Sequence, residues 1–238
     1  MKIIFIRHGE PNYEIDSLTE KGWKEAEYLS QRTSKWNITD IYCSPLGRAR
    51  DTAAATLTKL NREAVIHDWL KEFDSPILDP TTGIRVIPWD LSPDYLNQHP
   101  ELFDLHTWHQ NTDMLTGNLK ENYAYVTNGL DSLLEQYGYH RDGYRYLTDK
   151  DTHREDVIVC FCHLGITCAL AAHLLNITPP QLWQGFFLAP TSVTVLGTEE
   201  REPGEAYFRC QMMGDTSHLL MNQEPVSIYG YFTEPFQG

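Results

Sequence analysis

The chain reads as an α/β protein: a three-layer sandwich with a mainly parallel sheet flanked by helices, plus an inserted cap. Three observations predict this. Ile3-Ile-Phe-Ile6 and Val157-Ile-Val-Cys-Phe-Cys162 are unbroken apolar runs too short for helices, the pattern of strands buried on both faces. Between and around them, strand-like and helix-like segments alternate, as the crossovers of a parallel sheet require. Two late apolar runs, 192–196 and 206–212, flank the polar residues 198–204 and close the sheet as a hairpin.

Each element has its own signal. The first strand, Ile3 to Ile6, ends abruptly in Arg7 and His8, and Gly9 supplies a sharp exit. After the polar loop 11–16 a helix starts near Ser17 or Thr19, and Ser17 with Glu20 fits a capping box. Gly22, Ala26, Leu29 and Thr33 recur at helical spacing on its packed face. Asp40-Ile-Tyr-Cys43 is the second strand. Ser44-Pro45 then signals a helix start, with serine as N-cap and proline at the first position, and the helix runs to about Leu60. Ala64-Val-Ile-His67 is a third, shorter strand.

From residue 74 to 117 the pattern changes. Pro76, Pro80, Pro88, Pro93 and Pro100 interrupt any long periodic element, while Trp89, Tyr95, Phe103 and Trp108 supply rings to pack. This segment is read as the inserted cap of one domain spanning 1–238, with short helices around 93–96 and 101–108. Tyr123, Val126, Leu130, Leu133, Leu134 and Tyr137 then mark a helix stripe. Residues 139–146 suggest a hairpin turning at Asp142-Gly143. Leu164 to Leu175 is apolar nearly all round and reads as a core helix, which Pro179-Pro180 prevents from continuing.

Composition narrows the function. A net charge of −14 over 238 residues argues against nucleic acid or an anionic membrane as partner. A small anionic ligand is still allowed, because a few local arginines outweigh a distant field. No stretch is long and apolar enough to span a bilayer, and the first strand leaves no room for a signal peptide, so a cytoplasmic location is expected. The five cysteines follow no disulfide framework and read as free thiols. Cys160-Phe-Cys162 lacks the two-residue spacer of zinc pairs, so no metal is expected there. Neither a Walker loop nor a Gly-x-Gly-x-x-Gly fingerprint is present.

The chemistry collects at three strand ends. The first delivers Arg7 and His8; the second delivers Ser44-Pro-Leu-Gly-Arg48; the long late strand delivers His163 at a helix start. Parallel neighbours bring such ends to one sheet edge, where ligands of open α/β sheets bind. Helix N-termini and guanidinium forks both suit phosphate oxygens.

Arg7-His8-Gly9, Ser44-Pro-Leu-Gly-Arg-Ala49 with Thr52-Ala53, and His163 before a core helix together resemble the histidine phosphatase superfamily, the phosphoglycerate mutase-like or acid phosphatase-like fold. Leu18-Thr-Glu-Lys-Gly22 is similar to the family's entry to its first helix, and the likeness is collinear over 1–72 and 157–197, with a weaker echo in Asp215-Thr-Ser-His-Leu219. The resemblance implies a phosphomonoesterase of its phosphatase branch, with His8 as nucleophile forming a phosphohistidine. Arg7, Arg48 and His163 would hold the non-bridging oxygens, and Glu72 would give the leaving oxygen its proton. No cofactor and no metal are implied, and the partner is a small phosphorylated substrate. The chain departs from the family pattern after Glu72, where Phe73-Asp-Ser-Pro76 replaces a Gly-aromatic continuation, and at Leu164, where the family more often has glycine. Asp74 and Glu10 therefore stay open as the acid. Two other activities fit the same core: mutase-type phosphoryl transfer between phosphoglycerates, and a non-catalytic phospho-ligand or protein-binding module.

Overall fold

A computed structural model describes residues 1–149 and 154–236. Its centre is a mixed sheet of 8 strands. In chain order these are β1 (Lys2–Arg7), β2 (Asp40–Cys43), β3 (Val65–Ile66), β4 (Tyr139–Asp142), β5 (Arg145–Thr148), β6 (Val157–Cys162), β7 (Val193–Glu199) and β8 (Glu205–Asp215). Their spatial order is β3-β2-β6-β1-β7-β8-β5-β4. The expected parallel part is the core of the sheet: β1 pairs with β6, β6 with β2, and β2 with β3, all parallel. From β7 outward every pairing is antiparallel.

Helices α1 (Glu20–Thr33), α2 (Gly47–Leu60), α3 (Pro93–Gln98), α4 (Leu119–Glu135), α5 (Leu164–Leu175), α6 (Pro179–Gly185) and α7 (Ser217–Met221) complete the chain. The apolar runs of β1 and β6 are continuous because each strand feeds two cores. Successive side chains point to opposite faces. Ile4, Ile6, Val159 and Phe161 join Leu29 of α1 and Ala49 and Ala53 of α2 on one side. Ile3, Phe5, Ile158 and Cys160 join α4, α5 and α6 on the other. Each Ile, Val, Leu or Phe among them contributes roughly 1.5–3 kcal/mol by leaving water.

Local details correct four expectations. The cap of α1 is Thr19, whose hydroxyl accepts from Gly22 N, while the Ser17 hydroxyl donates to Asp51. Helix α2 starts at Gly47 rather than at Pro45, because Gly47 N is claimed by the Asp16 carboxylate and the Ser44 hydroxyl lies within hydrogen-bond reach of His163. No single helix spans 101–108; two short 3-10 turns, Pro100–Phe103 and Trp108–Gln110, flank an Asp104-capped bend. Helix α5 already ends at Leu175, where Asn176 takes the left-handed C-cap, and Pro179-Pro180 instead open α6, where Thr178 and Gln181 form a capping box.

Segment 74–117 packs through Ile77, Trp89, Tyr95, Leu102 and Trp108 onto the same core as α5 and α6. The hairpin β4–β5 turns with Gly143 at positive φ, directly after Asp142. Among the described residues no helix is long and apolar enough to cross a membrane, and Cys43, Cys160, Cys162, Cys168 and Cys210 are free thiols.

Candidate active site

The parallel register sets the site. Arg7 pairs with Cys162 across β1 and β6, and Phe161 with Cys43 across β6 and β2, so the three strand ends lie side by side. His8 and His163 follow directly, and their rings sit 5.1 Å apart. Both are almost completely buried.

Hydrogen bonds fix which nitrogen of His8 is available. Nδ1 lies 2.7 Å from the carbonyl of Gly9, which only accepts, so Nδ1 carries the proton and Nε2 keeps its lone pair. Burial first, then the neighbouring Arg7, holds the His8 pKa well below its usual value, so the ring is neutral near pH 7. The backbone beside it is pinned: Gly9 N donates to the Thr52 hydroxyl at 2.9 Å, and Thr191 N donates to the His8 carbonyl at 3.1 Å. His163 Nε2 is 2.8 Å from the Ser44 hydroxyl, and its Nδ1 is buried without a protein partner. Burial, His8 and the two arginines likewise hold it neutral.

Each arginine is tethered at one end. Arg7 Nη1 donates to the Leu188 carbonyl at 2.5 Å, while Nε has no hydrogen-bond partner. Burial lowers its pKa and Glu72 opposes that shift, which marks Glu72 as the carboxylate with the strongest pull on it. Arg48 Nη1 donates to Asp16 Oδ1 at 2.6 Å; its Cζ lies 5.2 Å from the Tyr13 ring, and its Nε is also unpartnered. Arg7, Arg48 and His163 thus each carry a buried nitrogen with no protein partner, and all three residues lie close enough to His8 to act on it. Orphaned buried polar atoms are rare, and a cluster of them around one ring is the signature of an anion site.

The three candidate acids separate by position. Glu72 Oε1 accepts from Phe73 N at 2.8 Å and from Ile166 N, in the first turn of α5, at 2.9 Å. It therefore stands beside His163 at the same helix start. Both Glu10 oxygens are engaged, Oε1 by the Thr19 hydroxyl and Oε2 by the Ser227 hydroxyl. Asp74 is exposed, on the far side of the buried Phe73.

Sequence reasoning missed the supporting residues. Asp16, Ser44 and Thr52 hold the reactive groups, and only Ser44 and Thr52 stood inside a quoted motif. It also missed the chain's end. The Lys21 ammonium pairs with Glu224 and donates to the Pro225 carbonyl at 2.6 Å. The Tyr229 ring lies 5.7 Å from that of Tyr13, and a Cβ on Gly230 would stand 3.4 Å from Arg7 Nη2. Residues 224–230 thus run across the mouth of the site. Among the described residues no group of three or more His, Cys, Asp or Glu side chains is placed to hold a metal ion.

Known proteins resemble this chain in sequence and fold. The model of the histidine phosphatase superfamily (branch 1) matches residues 3–87. Phosphoserine phosphatase 1 of Hydrogenobacter thermophilus is 25% identical over 210 residues, covering 84% of this chain and 88% of that protein. A 2,3-bisphosphoglycerate-dependent phosphoglycerate mutase of Thermoplasma acidophilum is 35% identical over 83 residues, covering 30% of this chain and 42% of that one. Among solved structures, a phosphoserine phosphatase mutant from Entamoeba histolytica in complex with phosphoserine superposes with a TM-score of 0.62 at 22% identity, covering 92% of this chain and 98% of that one.

Proposed function

The chain belongs to the histidine phosphatase superfamily, and we propose that it hydrolyses small phosphate monoesters through a phosphohistidine on His8, in one domain with 74–117 as its cap. The observation that carries this reading is the tautomer of His8: a neutral ring whose Nε2 keeps its lone pair, in the field of Arg7 and Arg48 and 5.1 Å from the His163 ring.

The chemistry follows from that placement. His8 Nε2 attacks phosphorus in line with the ester oxygen, the N–P bond forms, and the P–O bond breaks. Arg7 and Arg48 take up charge spread over the non-bridging oxygens, and His163 Nδ1–H supplies a neutral donor when its Nε2 accepts from Ser44. Glu72 gives its proton to the departing alkoxide or phenoxide. It then takes a proton from water, which attacks the phosphohistidine, releases inorganic phosphate and returns His8 to its starting state. No step calls for a metal or an organic cofactor.

The test is phosphate release from a panel of phosphomonoesters, with quenched-flow trapping of labelled phosphate on the enzyme. An acid-labile, base-stable phosphoenzyme is expected. His8→Ala should abolish it and lower turnover by about 10³-fold or more. Full activity in that variant would sink the mechanism. Exchange of phosphate between glycerate hydroxyls, without net release, would instead place the chain with mutases.

A further inference from the structure

Beside the phosphate cradle lies a cavity of about 680 Å³. It is assembled from three distant segments: residues 79–96, the end of α6 with Phe186 and Phe187, and the tail residues Phe232 and Thr233. Two of its walls also border the cradle. The Phe187 ring lies 5.9 Å from the Arg7 guanidinium carbon. Trp89 packs over the first turn of α5 so closely that a Cβ at Gly165 would overlap its ring, and that same Cβ would lie 2.8 Å from Glu72 Oε1. Through Trp89 the cavity therefore borders the side of the site that holds Glu72, the proposed proton donor to the departing oxygen.

Its lining has a definite chemistry. Trp89, Trp183, Phe186, Phe187 and Phe232 provide ring surface, with Val86, Leu91 and Leu96 between them. The charged lining residues are Asp79 and Asp90, and no Lys, Arg or His is among them. Asp79 is engaged by the backbone of Thr81 and Thr82; Asp90 is exposed. Both cradle arginines are committed to the phosphoryl end. A leaving group bearing a carboxylate thus meets two like charges and no cation, which disfavours it. A neutral or cationic ring meets aromatic faces and carboxylates that do not repel it.

We infer that the substrate is a phosphate monoester of an aromatic, non-anionic leaving group, seated in this cavity. The inference rests on the hydrolytic reading and narrows it, away from phosphorylated hydroxy acids and amino acids. Cavities of this size hold a ligand of one or two rings.

The experiment compares kcat/KM for 2-naphthyl phosphate with kcat/KM for phosphoserine and 3-phosphoglycerate, in the wild type, Asp90→Lys and Phe187→Ala. In parallel, binding of naphthylmethylphosphonate, which cannot be hydrolysed, is measured by calorimetry. The naphthyl ester should exceed both carboxylates by about tenfold or more. Asp90→Lys should narrow that ratio about fivefold by supplying a cation, and Phe187→Ala should weaken the phosphonate about tenfold. A carboxylate substrate turned over as well as the naphthyl ester overturns the inference and leaves the hydrolytic reading intact, as do variants that shift all three esters alike. Should no ester release phosphate while the phosphonate binds and Phe187→Ala weakens it, the cavity stands and the hydrolytic reading falls. Absence of both turnover and binding removes both.

Discussion

The two halves of the site are built in opposite ways. The phosphate side hangs on the ends of β1, β2 and β6, and its charged groups are fixed by buried hydrogen bonds to Gly9, Leu188, Ser44 and Asp16. The leaving-group side is a wall of rings from a proline-broken segment, the end of a short helix and an irregular tail. Register fixes the first, because a one-residue slip in strands buried on both faces would turn every side chain to the wrong side. Packing shapes the second, and rings in a loop-rich wall can be exchanged without touching the sheet. A fold divided in this way keeps one reaction while its substrate range is set elsewhere.

Glu72 stands on the border, and the largest expected effect lies there. Glu72→Gln should lower kcat/KM for an alkyl phosphate by about 10²–10³-fold. For 4-nitrophenyl phosphate, whose phenolate leaves without a proton, the loss should stay below about tenfold. Steady-state kinetics on the two esters checks this. Equal losses would show that Glu72 merely props the α5 start through Ile166 N.

Next in size is a stability effect beneath the first loop. Glu25 is completely buried in α1 and accepts from Glu10 N at 2.8 Å. Burial pushes its pKa from 4.5 up to about 7, against that hydrogen bond and Lys21. The folded state thus holds a proton that the unfolded state has released, so stability falls as pH rises from 4.5 to 7, by up to about 3 kcal/mol. His218 acts in the opposite sense. Burial lowers its pKa from 6.5 to about 4, so the unfolded chain takes the proton first and stability falls as pH drops through that range. Between pH 4.5 and 6.5 the two slopes oppose and largely cancel, so urea unfolding at pH 5, 6.5 and 8 should give a nearly flat profile. Glu25→Gln should remove the falling slope and leave that of His218, so that stability rises by about 2 kcal/mol from pH 5 to 8, and a variant that keeps the wild-type profile would refute the assignment.

The same division explains what could be read from the sequence. β1 and β6 were legible because strands buried on both faces must be continuously apolar, and Arg7, His8 and His163 stood out as polar groups ending such runs. Arg48 was legible for its place in Ser44-Pro-Leu-Gly-Arg48, although its helix starts two residues later than Pro45 suggested. Asp16 was hidden, since an aspartate in a polar loop looks like any turn residue until the chain folds it onto Gly47 and Arg48. The tail was hidden more deeply: Ser227 and Tyr229 meet Glu10 and Tyr13 across more than two hundred residues, and no periodicity records such a contact. Of the four rings singled out in 74–117, only Trp89 lines the cavity. Trp108 is consumed by packing against Trp183, Tyr95 is buried on Asn111 and Asp113, and Phe103 is exposed.

Asp16 offers the smallest effect and the cleanest separation of the two halves. It adopts positive φ, and its carboxylate bridges Gly47 N at 2.7 Å and Arg48 Nη1 at 2.6 Å. Burial opposes the ionised form, but those two donors prevail and hold its pKa below the usual carboxylate value. Asp16→Ala frees the guanidinium and removes one charge-assisted bond, which should raise KM about tenfold and leave kcat within about threefold. Asp16→Asn keeps an acceptor for Gly47 and should fall between. Because Arg48 acts only on the phosphoryl group, the rise in KM should be the same for a naphthyl and a methyl ester, and inorganic phosphate should inhibit about tenfold less well. If the penalty instead grows with the size of the leaving group, the loop bearing Asp16 also shapes the aromatic wall, and the two halves are one unit.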